Sequence, residues 1–128
     1  MKVMIERDLS TADCGDIAIT AAEGGIGYWS VIDKYDFQRW QDPDDGYGAC
    51  AEVPEDFVFY TIREAYEGGT GVFDITPTLI RRGIQLFLTG AGGFVGRFFD
   101  DMEDFACMDS AEADCVVQLG CFGELVYG

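Results

Sequence analysis

The sequence predicts an α+β fold: a small, mainly antiparallel sheet of about four strands with three or four helices packed on one face. Segments of alternating or β-branched and aromatic character crowd the first three-fifths of the chain, and helix-period segments fill most of the rest. Strands gathered early and helices late argue against the alternating units of a parallel sheet. The chain has 128 residues, the size of one domain, which buries roughly two-thirds of the surface its unfolded form exposes.

Each element has a local reason. Val3 and Ile5 alternate with Lys2, Met4 and Glu6, the pattern of a half-buried strand over 2–7. Ser10 or Thr11 offers a helix N-cap, Ile17, Ala18, Ala21 and Ala22 follow at helical spacing, and Gly24-Gly25 stops the helix. The aromatic and β-branched stretch from Ile26 to Phe37 favours a second strand. Asp42-Pro43-Asp44-Asp45-Gly46 is an acidic turn. Residues 57–63 and 70–75 read as a hairpin joined near Gly68-Gly69. Thr76-Pro77 supplies an N-cap and a proline at the first helical position, opening a helix through Leu79, Ile80, Ile84, Phe87 and Leu88. Helices over 94–107 and from Ser110 to about Phe122 complete the order, the last begun by Asp109 and Glu112 as a capping box.

Charge and composition narrow the function classes. Against 24 acidic residues stand 8 basic ones, a formal net charge of −16. Such a field repels nucleic acid and anionic lipid and attracts basic protein surfaces, so no direct nucleic-acid binding and no membrane association are expected. The same carboxylates also serve simply to keep an apolar chain in solution. Five cysteines, no histidine and no C-x-x-C pair leave no zinc site, and free thiols in a reducing cytosol are expected. The N-terminus reaches charge too early for a signal peptide, and no apolar run is long enough to span a bilayer.

No catalytic constellation stands out. The thiols have no histidine to deprotonate them, and no G-x-S-x-G elbow occurs. Thr89-Gly90-Ala91-Gly92-Gly93-Phe94-Val95-Gly96 fits the T-G-x-x-G-x-x-G turn that cradles dinucleotides. That turn belongs after the first strand of a parallel sheet, and too little chain follows it here for further β-α units, so a plain glycine-rich connection explains it better. The carboxylate pairs at 44–45, 100–101 and 103–104 lack a basic or hydroxyl companion and read as solvated surface. The expectation is a protein without enzymatic activity, cofactor or metal.

Two candidate binding surfaces remain. Arg81 and Arg82 lie one turn past Thr76-Pro77, where free N–H groups at a helix N-terminus favour an anion; pairing with surface carboxylates is the competing explanation. Tyr28 and Trp29 offer stacking faces, with ordinary core packing as the alternative. The second surface is acidic: Asp42, Asp44, Asp45, Asp100, Asp101, Glu103 and Asp104.

Glu23-Gly24-Gly25-Ile26-Gly27-Tyr28-Trp29, with its E-G-G-x-x-Y-W pattern, resembles a segment of small uncharacterised accessory proteins of tailed bacteriophages. The run Ala113-Asp114 through Gln118, Phe122-Gly123-Glu124, Val126 and Tyr127-Gly128 is similar to the C-terminal segment of those proteins, and Thr76-Pro77 with Ile80 and Gly83-Ile84 to their middle. The resemblance implies a phage protein in the cytoplasm of an infected bacterium, acting by binding, often to counter a host defence. On that footing the leading expectation is a homo-oligomer that sequesters a small anionic ligand, such as a nucleotide immune signal, through Tyr28, Trp29, Thr76, Arg81 and Arg82. Alternatives are an acidic, nucleic-acid-mimicking or anti-CRISPR-type inhibitor of a host defence protein, and a minor structural or metabolic phage protein.

Overall fold

A computed structural model describes residues 9–44, 50–66, 68–90 and 108–128. The strand expected over 2–7 and the helix over 94–107 lie outside them. The described elements are α1 (Thr11–Gly24), β1 (Ser30–Ile32), a short 3-10 turn (Phe37–Trp40), β2 (Tyr60–Glu64), β3 (Val72–Ile75), α2 (Pro77–Leu88) and α3 (Ser110–Phe122). The fold is α+β, as the sequence predicts.

The sheet is antiparallel throughout, in the order β1-β2-β3. It has three strands rather than about four among the described residues. The aromatic stretch from Ile26 to Phe37 is mostly not strand. Trp29 and Ser30 both donate backbone N–H groups to the Ile26 carbonyl, making a turn, and only Ser30, Val31 and Ile32 pair, with Glu64, Arg63 and Ile62. Strand propensity in aromatic residues reflects packing against neighbours more than ladder formation, and here Trp29 is buried from a turn while Tyr28 and Tyr35 stay exposed.

Alternation sets the two faces of the sheet. Ser30, Tyr60, Ile62 and Ile75 are buried on one face, while Val31, Arg63, Val72 and Asp74 are exposed on the other. The buried face meets helices: the Tyr60 hydroxyl donates to the Ala18 carbonyl of α1 at 2.6 Å, and Phe73 packs edge-on to Phe122 of α3 at 5.0 Å. Burial drives the Tyr60 phenol well above its usual pKa, so this bond keeps its proton.

In α1, Cys14, Ile17, Ala18 and Ala21 recur at helical spacing and are buried. Ser10 and Asp13 form a reciprocal capping box at its start. Glu52 adds to that cap from far along the chain, accepting from the Thr11 hydroxyl and, at 3.2 Å, from the Thr11 N–H. The Thr11 hydrogen bond foremost lowers the Glu52 pKa below its ordinary 4.5. A carboxylate depressed in the folded state stabilises above its ordinary pKa, and that contribution disappears as pH falls through the folded value. Glu52→Gln is therefore expected to flatten the acid limb of the stability–pH curve below about pH 5, measured by urea unfolding across pH. An unchanged acid limb would remove Glu52 from that role.

Helix α3 runs through the centre. Every residue from Glu112 to Gly120 is buried, the mark of a helix covered on all sides. Helices α1 and α2 both pack on it, and the buried apolar side chains of sheet and helices form one cluster around it. Left-handed Gly123, with φ +76°, ends the helix and turns the chain back along it.

Candidate functional site

The segments that carry the phage resemblance meet in space. Gly25 passes so close to the first turn of α3 that a Cβ there would lie 2.6 Å from the Ser110 carbonyl oxygen. This approach brings Tyr28 and Trp29 beneath α3. The Tyr28 hydroxyl donates to Asp114 Oδ2 at 2.6 Å and the Trp29 indole Nε1 donates to Asp114 Oδ1 at 2.8 Å.

Gln118, one turn beyond Asp114, completes the arrangement. Its Nε2 donates to Asp114 Oδ1 at 3.0 Å, to the Tyr28 hydroxyl at 3.3 Å and to the Tyr127 carbonyl at 3.1 Å. Its Oε1 accepts the N–H groups of Val126 at 3.0 Å and Tyr127 at 2.8 Å. The side-chain amide thus binds the returning tail as a neighbouring strand would. Trp29 stacks on Tyr127 with centroids 5.1 Å apart, and Phe122 tilts against the same indole at 5.6 Å.

Trp29 is 1% exposed, whereas Tyr28 is 60% exposed, so the tryptophan belongs to the core and the tyrosine to the surface. Partial burial, then the bond to Asp114, raises the Tyr28 pKa to about 12. Tyr28 is therefore a neutral donor at physiological pH. Tyr66, also 60% exposed, meets Tyr127 edge-on at 5.8 Å. Trp29, Tyr127 and Tyr66 form a row from the interior to the surface, with Tyr28 at the Asp114 end.

The two arginines do not join this cluster, nor do they converge on each other. Arg81 clasps the Glu55 carboxylate through Nε at 3.0 and 3.1 Å and Nη2 at 2.8 Å, and its Nη1 donates to the Leu9 carbonyl. Arg82 donates through Nε, at 3.0 Å, and through Nη2 to the Gly120 carbonyl in the last turn of α3. That is a helix end where a cation complements the dipole, and α3 has no basic residue of its own there.

Helix geometry separates the groups further. Val116 and Gly120 face α2, whereas Asp114 and Gln118 face Tyr28 and Trp29; at 3.6 residues per turn the two pairs are roughly 200° apart around α3. Thr76 caps α2, its hydroxyl accepting from the Leu79 N–H at 3.2 Å. The Thr78 N–H and hydroxyl both donate to the Glu55 carbonyl, at 3.3 and 3.1 Å. Residue Glu55 thus satisfies both this helix start and Arg81 from within the chain.

Of the acidic candidates, Asp42 and Asp44 fall within the described residues. Asp42 Oδ1 accepts the Asp44 N–H at 2.9 Å in a local turn, on an excursion closed by the isolated bridge between Gln41 and Cys50. Asp45, Asp100, Asp101, Glu103 and Asp104 lie outside the described residues. Among those described, no group of three metal-ligating side chains comes together, and no helix is long and apolar enough to cross a membrane.

The described thiols are buried or half-buried and unbridged. Burial pushes Cys14 and Cys121 up to about 12 and Cys115 to about 11. Thiols held this far from ionising are poor nucleophiles and poor metal ligands. Comparison with known proteins finds no matching family model, no matching curated protein and no matching solved structure.

Reasoning from sequence missed Asp114, Gln118 and Tyr127 as partners of Tyr28 and Trp29. The available signal was the i, i+4 spacing of Asp114 and Gln118 in a helix that is otherwise apolar beyond its first turn, a polar stripe that burial obliges to find partners.

Proposed function

We propose that this protein is a non-enzymatic bacteriophage accessory protein that works in the host cytoplasm by occupying a basic surface of a host defence protein. The observation that carries the reading is how the cations are used. Arg81 is held by Glu55 and Leu9, Arg82 by Gly120, Arg39 by the Val58 carbonyl at 2.5 Å, and Arg63 lies 3.7 Å from Asp33. With those guanidinium groups paired inside the chain and a net charge of −16, the field left for a partner is negative. This favours a basic protein over a small anion, which would have to displace Glu55 from Arg81. The phage assignment rests on the likeness at 23–29, 76–84 and 113–128.

The test is co-purification from infected or protein-expressing host cells, followed by titration against the purified partner. A basic partner is expected, bound with an affinity that falls steeply with salt and falls again in the double variant Asp42→Lys, Asp44→Lys. Calorimetry against cyclic and ADP-ribose-type nucleotides runs in parallel. Heat from a nucleotide, with no basic partner recovered, would overturn the reading in favour of ligand sequestration.

A further inference from the structure

We propose that the surface formed by Tyr28, Tyr66 and Tyr127, bordered by Glu64 and with the buried Asp114 carboxylate bonded to Tyr28, is a recognition site for an arginine side chain on an extended segment of the partner protein. The inference rests on the proposed binding of a basic partner and adds where and how one cation would be read.

Three features combine here. Exposed aromatic area is the first: Tyr28 and Tyr66 are each 60% exposed, although the other large rings among the described residues are mostly withdrawn. The second is rigidity. Tyr127 is fixed by its stack on buried Trp29 and by two backbone bonds to Gln118, and Tyr66 rests edge-on against it. A pre-fixed ring loses little side-chain entropy when a ligand docks. Third is the sign of the adjacent charge. The carboxylate of Asp114 binds the Tyr28 hydroxyl. The tail's Tyr127 has its pKa raised, by desolvation and then by the Glu64 carboxylate beside it.

Aromatic faces beside carboxylates attract cations and repel phosphates, so stacking of a nucleotide is disfavoured at the place where the rings are available. A planar guanidinium suits the site better than an ammonium, because it stacks on a ring and donates sideways to a carboxylate at once. The protein itself makes the ring half of such a contact, with Arg39 held 5.0 Å from the Phe57 ring centroid while it donates to the Val58 carbonyl. An extended segment is the fitting occupant because Tyr28 and Tyr66 stand exposed and the net charge of −16 draws basic side chains that neighbour the arginine.

The experiment uses the full chain and two fluorescent nonapeptides, one of arginine and one of lysine, with binding followed by anisotropy at fixed salt. The arginine peptide is expected to bind roughly 3- to 5-fold more tightly than the lysine peptide, the scale of an exposed cation–π contact. Tyr66→Leu should erase that preference while Tyr66→Phe keeps it. Asp42→Lys with Asp44→Lys should weaken both peptides alike. Equal affinity for the two peptides, or a preference that survives Tyr66→Leu and Tyr28→Leu together, overturns the site and leaves the acidic binding function standing. Failure to bind either peptide at low salt overturns both. Near-ultraviolet circular dichroism of the tryptophans checks folding; should the Leu variants unfold, Glu64→Gln takes their place, with the preference expected to shrink and its full retention overturning the site.

Discussion

Gly83→Ala is expected to lower the unfolding free energy by about 3 kcal/mol, a fall in Tm of roughly 10 °C for a domain of this size. The sign is the informative part. In an exposed helix interior, replacing glycine with alanine stabilises by up to ~1 kcal/mol, because alanine has less backbone entropy to lose. Gly83 sits in α2 where it crosses α3, and a Cβ there would run into the Val116 carbonyl oxygen. That oxygen belongs to the backbone of a buried helix, so relief requires the two helices to part. Parting them also strains the hydrogen bonds from Arg82 to Gly120 and opens gaps around Ile80, Ile84 and Phe87. Gly120 repeats the contact from the other side, its Cβ position 2.6 Å from the Leu79 carbonyl oxygen, so Gly120→Ala is expected to act in the same direction. Gly27 has nothing within 4 Å of its Cβ position, and Gly27→Ala serves as the neutral control. Urea unfolding of the three variants checks the order, and a stabilised Gly83→Ala would refute the close-packed crossing.

How far the sequence could be read depended on the range of the interaction. Helix α3 begins and ends as expected because its signals are adjacent in the chain: Asp109 and Glu112 cap its start and Gly123 its end. Thr76-Pro77 opens α2 for the same reason. The stretch from Ile26 to Phe37 misled because its aromatic residues serve different ends: a turn that no local pattern announces buries Trp29 under α3, while Tyr28 and Tyr35 stay exposed. Arg81 takes the carboxylate partner that the sequence also allowed, Glu55, and Arg82 a backbone carbonyl, Gly120. Consecutive helical residues point about 100° apart, so one reaches Glu55 and Leu9 while the other reaches α3, and adjacency in sequence built no shared pocket. The meeting of Tyr28 and Trp29 with Asp114 spans more than 80 residues. Single-sequence patterns carry no register for such a contact, only the hint of a polar pair on a buried face.

That contact supplies the second large effect. Asp114→Ala is expected to cost about 3 kcal/mol, whereas Asp114→Asn should cost no more than about 1 kcal/mol. The carboxylate is 7% exposed and accepts three bonds, two of them on Oδ1. Alanine leaves the buried Trp29 indole N–H without an acceptor and removes what holds Tyr28 and Gln118 in register. Hydrogen bonds to a charged group, followed by an orphaned donor, are the costly kind of loss. Asparagine can place its carbonyl oxygen where Oδ1 stood, keeping the bonds from Trp29 and Gln118, and its amide can donate to the Tyr28 oxygen. Charge is then removed with the architecture intact. Because burial is the larger cause of the raised Tyr28 pKa and Asp114 the next, the tyrosine in Asp114→Asn should titrate below about 12 but still above its ordinary value, as read from tyrosinate absorbance. If the two variants are equally destabilised, the negative charge itself holds the site together; if alanine is harmless, Asp114 is not its anchor. Where asparagine costs little and alanine much, Asp114→Asn is a folded protein in which the buried charge's part in attracting a cation can be measured apart from its part in building the surface.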